Sequence, residues 1–200
     1  MGHSLKIETA GGVRILRLCS DDRTNRLTAA RVRELSATLG QLSLAPQPTV
    51  IAGNDQFFSA GADLAEIAAL TGPAAYEFSK MGQALMNAIA GFPAPVYAAI
   101  AGYCMGGGLD LALACHGRIA SPNAIFGHRG AALGLITGWG GTQRLPRLVG
   151  KAKALQMFVA AEKIHAQEAL RIGLVDAVAE DPVAKAVAFT TETQSHRENL

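Results

Sequence analysis

The chain has 200 residues, half of them apolar, which is enough to bury the core of one compact domain. Its 18 basic and 16 acidic residues leave a net charge of +2, which argues against a nucleic-acid-binding face and against an acidic tail. The three cysteines lack metal-ligand spacing, so we expect reduced thiols, no metal site and a cytoplasmic location.

Turn residues and apolar spacing predict strands and helices in alternation along the chain. The first elements are a hairpin of residues 5–8 and 13–18 and a helix over residues 28–42 with Thr28 as its N-cap. The further predicted strands are residues 49–52, 95–101, 117–121, 124–127 and 175–178. The further predicted helices are residues 65–70, 74–90, 109–115, 140–148, 151–160 and 166–172. Residues 57–64 and 102–108 are predicted as a loop and a turn that are rich in glycine.

This order of elements predicts an α/β fold with parallel strand pairing, because strands that follow one another through helices usually pair in parallel. No linker-like stretch divides the chain, so we predict a single domain over residues 1–200 that ends in a polar tail. Residues 91–109 carry no charge, but their prolines and glycines would break a membrane-spanning helix, so we expect no membrane partner.

The first candidate site is the segment FFSAGADL, residues 57–64. Its run of small residues lets a ligand approach the main chain closely, and a helix that begins just afterwards leaves N–H groups free at its first turn. The same segment could also be an ordinary turn between a strand and a helix.

The second candidate site is the segment AAIAGYCMGGGLD, residues 98–110. An apolar strand leads into three consecutive glycines that open an apolar helix, and free N–H groups at such a helix start can bind an oxyanion. The alternative is a tight turn that packs a buried helix against a sheet. Three consecutive glycines are unusual for packing alone, so we favour a functional role.

Together the two motifs resemble the enoyl-CoA hydratase/isomerase, or crotonase, superfamily in order, spacing and flanking residues. The resemblance covers roughly residues 5–180 and continues through IFG at residues 125–127, GGTQRLP at 140–146, AQEA at 166–169 and GLV at 173–175. It implies a crotonase fold, in which repeated ββα units wind into a spiral with helices packed outside. It also implies a lyase or isomerase that acts on an acyl-coenzyme A thioester without a metal or redox cofactor.

By resemblance, the oxyanion hole consists of two backbone N–H groups, those of Ala62 and Gly107. Adding water, moving a double bond or expelling carboxylate next to a thioester all build enolate charge on its oxygen. Two preorganised donors stabilise that charge.

The resemblance also predicts where coenzyme A binds. In relatives its adenine end lies along the backbone that corresponds to residues 60–64, which adds Ala60, Asp63 and Leu64 to the expected substrate site. The loop that contains Arg26 lies near the same group in relatives. Arg26 is therefore expected near phosphate, although an exposed arginine can also be merely solvated.

The acid–base residues are where the sequence departs from the family. Hydratases of the family use two glutamates, of which the first lies two residues after the three glycines, where this chain has Asp110. The second position, after the FG pair, is occupied by Gly130, so the usual second acid is absent. Asp110 is therefore the leading acid–base candidate, although it could also serve only to stabilise the first turn of its helix.

Three hypotheses are open for the missing glutamate. Asp110 alone could move the proton, which suits a double-bond isomerase better than a hydratase. His128 or Arg129 could point into the site if residues 128–130 are extended, but a surface histidine is the favoured interpretation. The space at Gly130 could also admit an external or substrate carboxylate, as the resemblance to dihydroxynaphthoyl-CoA synthases suggests. The additional aspartate of that group would fall at Thr137, so we do not assign its ring-forming reaction.

The alternative function is a catalytically degenerate acyl-CoA-binding protein or partner subunit. Relatives continue for several helices that cover the site and join trimers, so the C-terminal helical region here, at about residues 181–200, is shortened. A homotrimer or homohexamer is nevertheless expected by resemblance. The lone Trp139 is expected either in an acyl pocket or in the core.

Overall fold

The computed structural model describes residues 3–198, with side chains for residues 5–190. The strands are β1 (His3–Ala10), β2 (Val13–Ser20), β3 (Thr49–Ala52), β4 (Phe57–Ser59), β5 (Val96–Ile100), β6 (Tyr103–Met105), β7 (Gly117–Ala120), β8 (Ile125–Gly127), β9 (Ile164–His165) and β10 (Ala177–Val178). The helices are α1 (Ala29–Leu42), α2 (Leu64–Ala68), α3 (Gly72–Ala90), α4 (Gly107–Ala114), α5 (Gly141–Val149), α6 (Lys151–Val159), α7 (Ala166–Arg171) and α8 (Pro182–Glu198).

The strands form two sheets, and successive ββα units along the chain contribute to both. The larger sheet has the order β1-β2-β3-β5-β7-β10 and the smaller sheet the order β4-β6-β8-β9. The pairs β3/β4, β5/β6 and β7/β8 each contribute one strand to either sheet, and helices follow each pair. All neighbouring strands are parallel except the β1–β2 hairpin and the β8–β9 pair. This arrangement confirms the predicted α/β spiral of ββα units.

Glycines form the corners at which the chain passes from one sheet to the other. A Cβ on Gly53, between β3 and β4, would lie 2.2 Å from the Phe57 carbonyl oxygen. A Cβ on Gly102, between β5 and β6, would lie 2.0 Å from the Gln56 carbonyl oxygen, and Gly102 also has a φ of +59°. Only glycine permits this close approach of successive units, so these two residues fix how the sheets stack.

Helix α1 follows the sequence prediction. The Thr28 side chain accepts a hydrogen bond from the Arg31 N–H at 3.2 Å, as an N-cap does, and Val32, Leu35 and Leu39 are buried. These side chains join the main core, which lies between the larger sheet and helices α1, α3 and α4. The hairpin around Gly11 and Gly12 is also confirmed, with longer strands than predicted.

The structure corrects the prediction for the C-terminal tail. Residues 182–198 form the helix α8, which contacts β5 and β7 of the larger sheet. Ala186 and Thr190 are fully buried there, and Ala186 belongs to a second apolar cluster with residues of the larger sheet. Apolar spacing did not predict this helix because its buried residues are small or polar, and only the resemblance implied a helical region at about residues 181–200. No helix among residues 3–198 is long and apolar enough to cross a membrane.

Two predicted irregular segments contain short strands. Residues 57–64 include β4, and residues 102–108 include β6, each only three residues long. These strands pair with each other in the smaller sheet, where Ser59 aligns with Cys104. Three residues next to glycine are too few to show the alternation of apolar and polar side chains that predicts a strand. These strands are therefore identified only by their pairing in the folded protein.

Candidate active site

The two glycine-rich segments meet at one edge of the smaller sheet. Strands β4 and β6 are parallel neighbours, so the turns that follow them emerge side by side. A Cβ on Gly61 would lie 2.5 Å from the Met105 carbonyl oxygen, and a Cβ on Gly107 would lie 3.3 Å from the Ala62 backbone nitrogen. The absence of side chains at these two glycines therefore brings the backbone of Ala62 against the first residue of α4.

The loop of residues 24–27 holds in place the turn that follows β4. The Ala60 N–H donates to the Thr24 carbonyl and the Leu27 N–H donates to the Gly61 carbonyl, both at 2.9 Å. The Ser59 hydroxyl donates to the Asn25 carbonyl at 2.7 Å and accepts from the Gly61 N–H at 3.1 Å. With its hydroxyl used in this way and fully buried, Ser59 is a structural residue and not a nucleophile.

The backbone N–H groups of Ala62 and Gly107 have no protein acceptor among the described residues. Both residues line one cavity of about 560 Å³ together with Asp110. Binding of a developing oxyanion requires a pair of free N–H donors beside one cavity that point to the same oxygen.

The rest of this cavity is mainly apolar and is closed on one side by Trp139. The apolar side chains that line it include Leu64, Ile67, Leu70, Phe78, Leu133, Leu135 and Ile136. The Trp139 ring lies 5.2 Å from the Phe78 ring and donates its Nε1–H to the Phe78 carbonyl at 3.3 Å. A Cβ on Gly107 would lie 2.6 Å from the Trp139 ring. Trp139 thus belongs both to the core and to the cavity wall, whereas the sequence left the core and an acyl pocket open as alternatives.

Asp110 lies in the first turn of α4, and its side chain is almost completely buried in the cavity wall. One carboxylate oxygen, Oδ2, accepts a short hydrogen bond from the Thr137 hydroxyl. Burial raises the pKa of Asp110 to about 7, against the opposing effects of the Thr137 hydrogen bond, the Arg144 charge and two nearby backbone N–H groups. A carboxyl group that titrates near neutral pH can both remove and return a proton.

His128 follows β8 and is only 4% exposed, so the interpretation as a surface histidine is wrong. Strand β8 pairs with β6, which directs the residue after Gly127 toward the start of α4. The His128 Nε2 lies 3.3 Å from Asp110 Oδ1, and its ring lies 5.1 Å from the Phe158 ring. Burial lowers the pKa of His128 to about 4, so the ring is neutral at pH 7.

Gly130, at the position of the missing glutamate, lines the cavity, but the direction of a side chain there is obstructed. Gly130 begins a 3₁₀ helix, Gly130–Leu133, so residues 128–130 are not extended as one hypothesis required. A Cβ on Gly130 would lie 2.7 Å from the Leu135 carbonyl oxygen. This carbonyl would repel a carboxylate, which removes support from the hypothesis of a carboxylate held there. Arg129 is exposed at the cavity rim.

The residues expected at the coenzyme A end fall into two groups. Ala60, Ala62 and Leu64 line the cavity. Asp63 caps α2 by accepting from the N–H groups of Ala65 and Glu66, and it is not part of the cavity lining. The half-exposed guanidinium of Arg26 lies outside the cavity, 3.5 Å from Asp22 and 3.8 Å from Asp63.

The sequence did not reveal which groups surround the Asp110 carboxylate. Gly141 contributes by lacking a side chain, because a Cβ there would lie 2.2 Å from Asp110 Oδ1 and 3.0 Å from His128 Nε2. Phe158 contributes through its ring, which is tilted by 45° against the His128 ring. Gly141 lies in the GGTQRLP segment, but nothing in that segment indicates a contact with Asp110, and Phe158 lies in no motif. Within residues 3–198, no cluster of three or more potential metal ligands occurs.

Comparisons with known proteins show the family and the fold of this chain. The Enoyl-CoA hydratase/isomerase family model matches residues 8–196. A curated protein named "Probable enoyl-CoA hydratase" from Bacillus subtilis (strain 168) is 45% identical over 160 residues, which are 78% of this chain but only 62% of that protein. A crystal structure of an enoyl-CoA hydratase from Bacillus anthracis is 34% identical with a TM-score of 0.89, over 96% of this chain and 76% of that chain. One from Thermoplasma volcanium GSS1 is 32% identical with the same TM-score, 0.89, over 94% and 76% of the two chains.

Proposed function

This chain belongs to the enoyl-CoA hydratase/isomerase family, and we propose that it binds an acyl-coenzyme A thioester and stabilises the thioester enolate with the N–H groups of Ala62 and Gly107. The observation that carries the proposal is the contact between the two turns, with a Gly107 Cβ position only 3.3 Å from the Ala62 nitrogen. A thioester oxygen that accepts from both donors becomes a better electron acceptor, because the negative charge it gains in the enolate is stabilised.

Asp110 is the acid–base group in this proposal, and the favoured reaction is isomerisation of a 3-enoyl thioester to a 2-enoyl thioester. The Asp110 carboxylate removes a proton from the α carbon, and the C–H electron pair forms a dienolate whose charge lies on the thioester oxygen. The protonated Asp110 then returns the proton to the γ carbon, the carbonyl re-forms and the double bond lies between the α and β carbons. Proton and electrons balance without water or a cofactor, so one carboxyl group is sufficient.

The apolar cavity supports an acyl chain as the bound group. Its wall of leucine, isoleucine and aromatic side chains offers burial to hydrocarbon, and the small residues Ala60 and Ala62 leave main chain open beside it. Arg26 is assigned to the phosphates of coenzyme A, which attract a half-exposed guanidinium from outside the cavity.

Turnover of two thioesters tests this function. We expect a 3-enoyl-CoA to be isomerised faster than crotonyl-CoA is hydrated, with both reactions followed by absorbance of the conjugated thioester. Hydration as fast as isomerisation would contradict the single-carboxylate reaction. Tight binding without turnover of a broad thioester panel would instead favour a catalytically degenerate acyl-CoA-binding protein or partner subunit.

A further inference from the structure

Two buried polar atoms in the cavity wall face each other, and the backbone N–H groups of Trp139 and Gly141 lie near the same carboxylate. Asp110 Oδ1 and His128 Nε2 are 3.3 Å apart, and neither has an aligned hydrogen-bond partner among the described residues. A buried polar atom without a partner is destabilising, so native structures normally satisfy such atoms. Hydrogen bonds in catalytic sites are often misaligned without substrate.

Several residues prepare this contact. Gly141 leaves the space in which the carboxylate and the imidazole approach each other, since its Cβ would lie 2.2 Å from Oδ1. Phe158 packs against the other side of the His128 ring at 5.1 Å. The Thr137 hydroxyl already holds the second carboxylate oxygen. Gly141, Phe158 and Thr137 thus favour one arrangement, in which the Asp110 carboxylate lies beside the His128 ring.

We propose that His128 is a positioning residue for Asp110, donating its Nε2–H to Oδ1 while Thr137 donates to Oδ2. The role in turnover rests on the proposed function, but the hydrogen bond itself does not. Asp110 Oδ1 and His128 Nε2 are 3.3 Å apart, which leaves no room for a water molecule between them. The pair therefore does not hold a nucleophilic water in the way that the two glutamates of a hydratase do. His128 orients the single acid–base group and does not replace the missing glutamate.

The protonation states of Asp110 and His128 depend on the groups around them. The charged or titratable neighbours are His128 itself, Arg144 on α5 and the buried Cys104 thiol on β6, whose pKa Asp110 helps to raise. Because burial keeps the imidazole neutral, Nε2–H can donate to an ionised Asp110 without forming an ion pair. This donor stabilises the ionised carboxylate, and its removal makes ionisation harder.

The test is a titration of Asp110 in the full-length protein labelled with ¹³C at the aspartate carboxyl carbon. The Asp110 resonance is identified by its absence from the D110N spectrum. In H128Q the amide nitrogen can take the position of Nε2 and keep the donor, whereas the shorter side chain in H128N cannot reach Oδ1. The matched control H165Q changes an exposed histidine in the β9 strand.

We expect the Asp110 midpoint in H128N to lie about one pH unit or more above that of the unaltered protein, and the midpoints in H128Q and H165Q to stay close to that of the unaltered protein. H128F, which keeps a ring but removes its nitrogen atoms, should raise the midpoint as well and serves if H128N does not fold. An unchanged midpoint in H128N or H128F overturns the proposal. A shifted midpoint without turnover of any thioester leaves the pairing intact and overturns the proposed function instead.

Discussion

Replacement of Asp110 by asparagine is expected to lower kcat for 3-enoyl-CoA isomerisation by a factor of about 10² to 10⁴, the usual contribution of a general acid–base group. The amide occupies the same volume and can still accept from Thr137, but it cannot take up a proton. Because binding depends on the two backbone donors and the apolar cavity, KM should change little. The matched control E77Q alters an exposed carboxylate on α3 and should leave kcat unchanged.

The same D110N exchange is expected to stabilise the fold. Between about pH 4 and pH 7 the native carboxyl holds its proton while the unfolded one has lost it, so the Asp110 contribution to the free energy of unfolding falls as pH rises through this range. The contribution of His128, whose pKa burial lowers to about 4, has the opposite sign. D110N removes only the Asp110 contribution. Its melting temperature should exceed that of the unaltered protein by more at pH 8 than at pH 5, with a gain on the order of a few kcal/mol at pH 8. Full activity with no change in stability would contradict the assigned role of Asp110.

Substitution of Gly107 by alanine is the second change with a large expected effect. Its Cβ would lie 2.6 Å from the Trp139 ring and 3.3 Å from the Ala62 nitrogen, so it would intrude on one oxyanion donor while displacing the cavity wall. Loss of one such donor typically lowers kcat by about 10² to 10³. Overpacking against Trp139 should also destabilise the protein by about 1–3 kcal/mol.

Gly40 provides the matched control for this exchange. It lies in α1, and a Cβ there would meet no atom within 4 Å. G40A should therefore keep full activity and stabilise the helix by about 0.5–1 kcal/mol, as glycine-to-alanine exchanges in helices do. Wild-type activity in G107A, measured with both variants shown to be folded by circular dichroism, would contradict the oxyanion-hole assignment.

The sequence predicted the parts of the site that depend on local backbone geometry. The runs SAGAD and GGGLD combine small residues with a helix start, and this pattern has few structural uses besides close approach of a ligand. The residues that carry those turns, Ala62 and Gly107, do lie together at the cavity. Local pattern indicated these two segments, whereas the resemblance to the family singled out Ala62 and Gly107 within them.

What the sequence could not predict depends on contacts between distant segments. His128 was expected at the surface because nothing in its neighbours signals burial, which is caused by Phe158 on α6 and by Gly141 on α5. The 3₁₀ helix that begins at Gly130 was also not predicted, and it brings the Leu135 carbonyl to 2.7 Å from the position of a Cβ on Gly130. Strand β4 could not be predicted from sequence for a similar reason, because its pairing with β6 is a tertiary contact.

The central claim is that the N–H groups of Ala62 and Gly107 act on the same thioester oxygen. Infrared difference spectra of a bound acyl-CoA with a ¹³C-labelled thioester carbonyl measure this polarisation directly. We predict a carbonyl stretching frequency below its value in water, with the shift reduced in G107A and retained in G40A. A frequency equal to that in water, for ligand shown to be bound, would contradict the account.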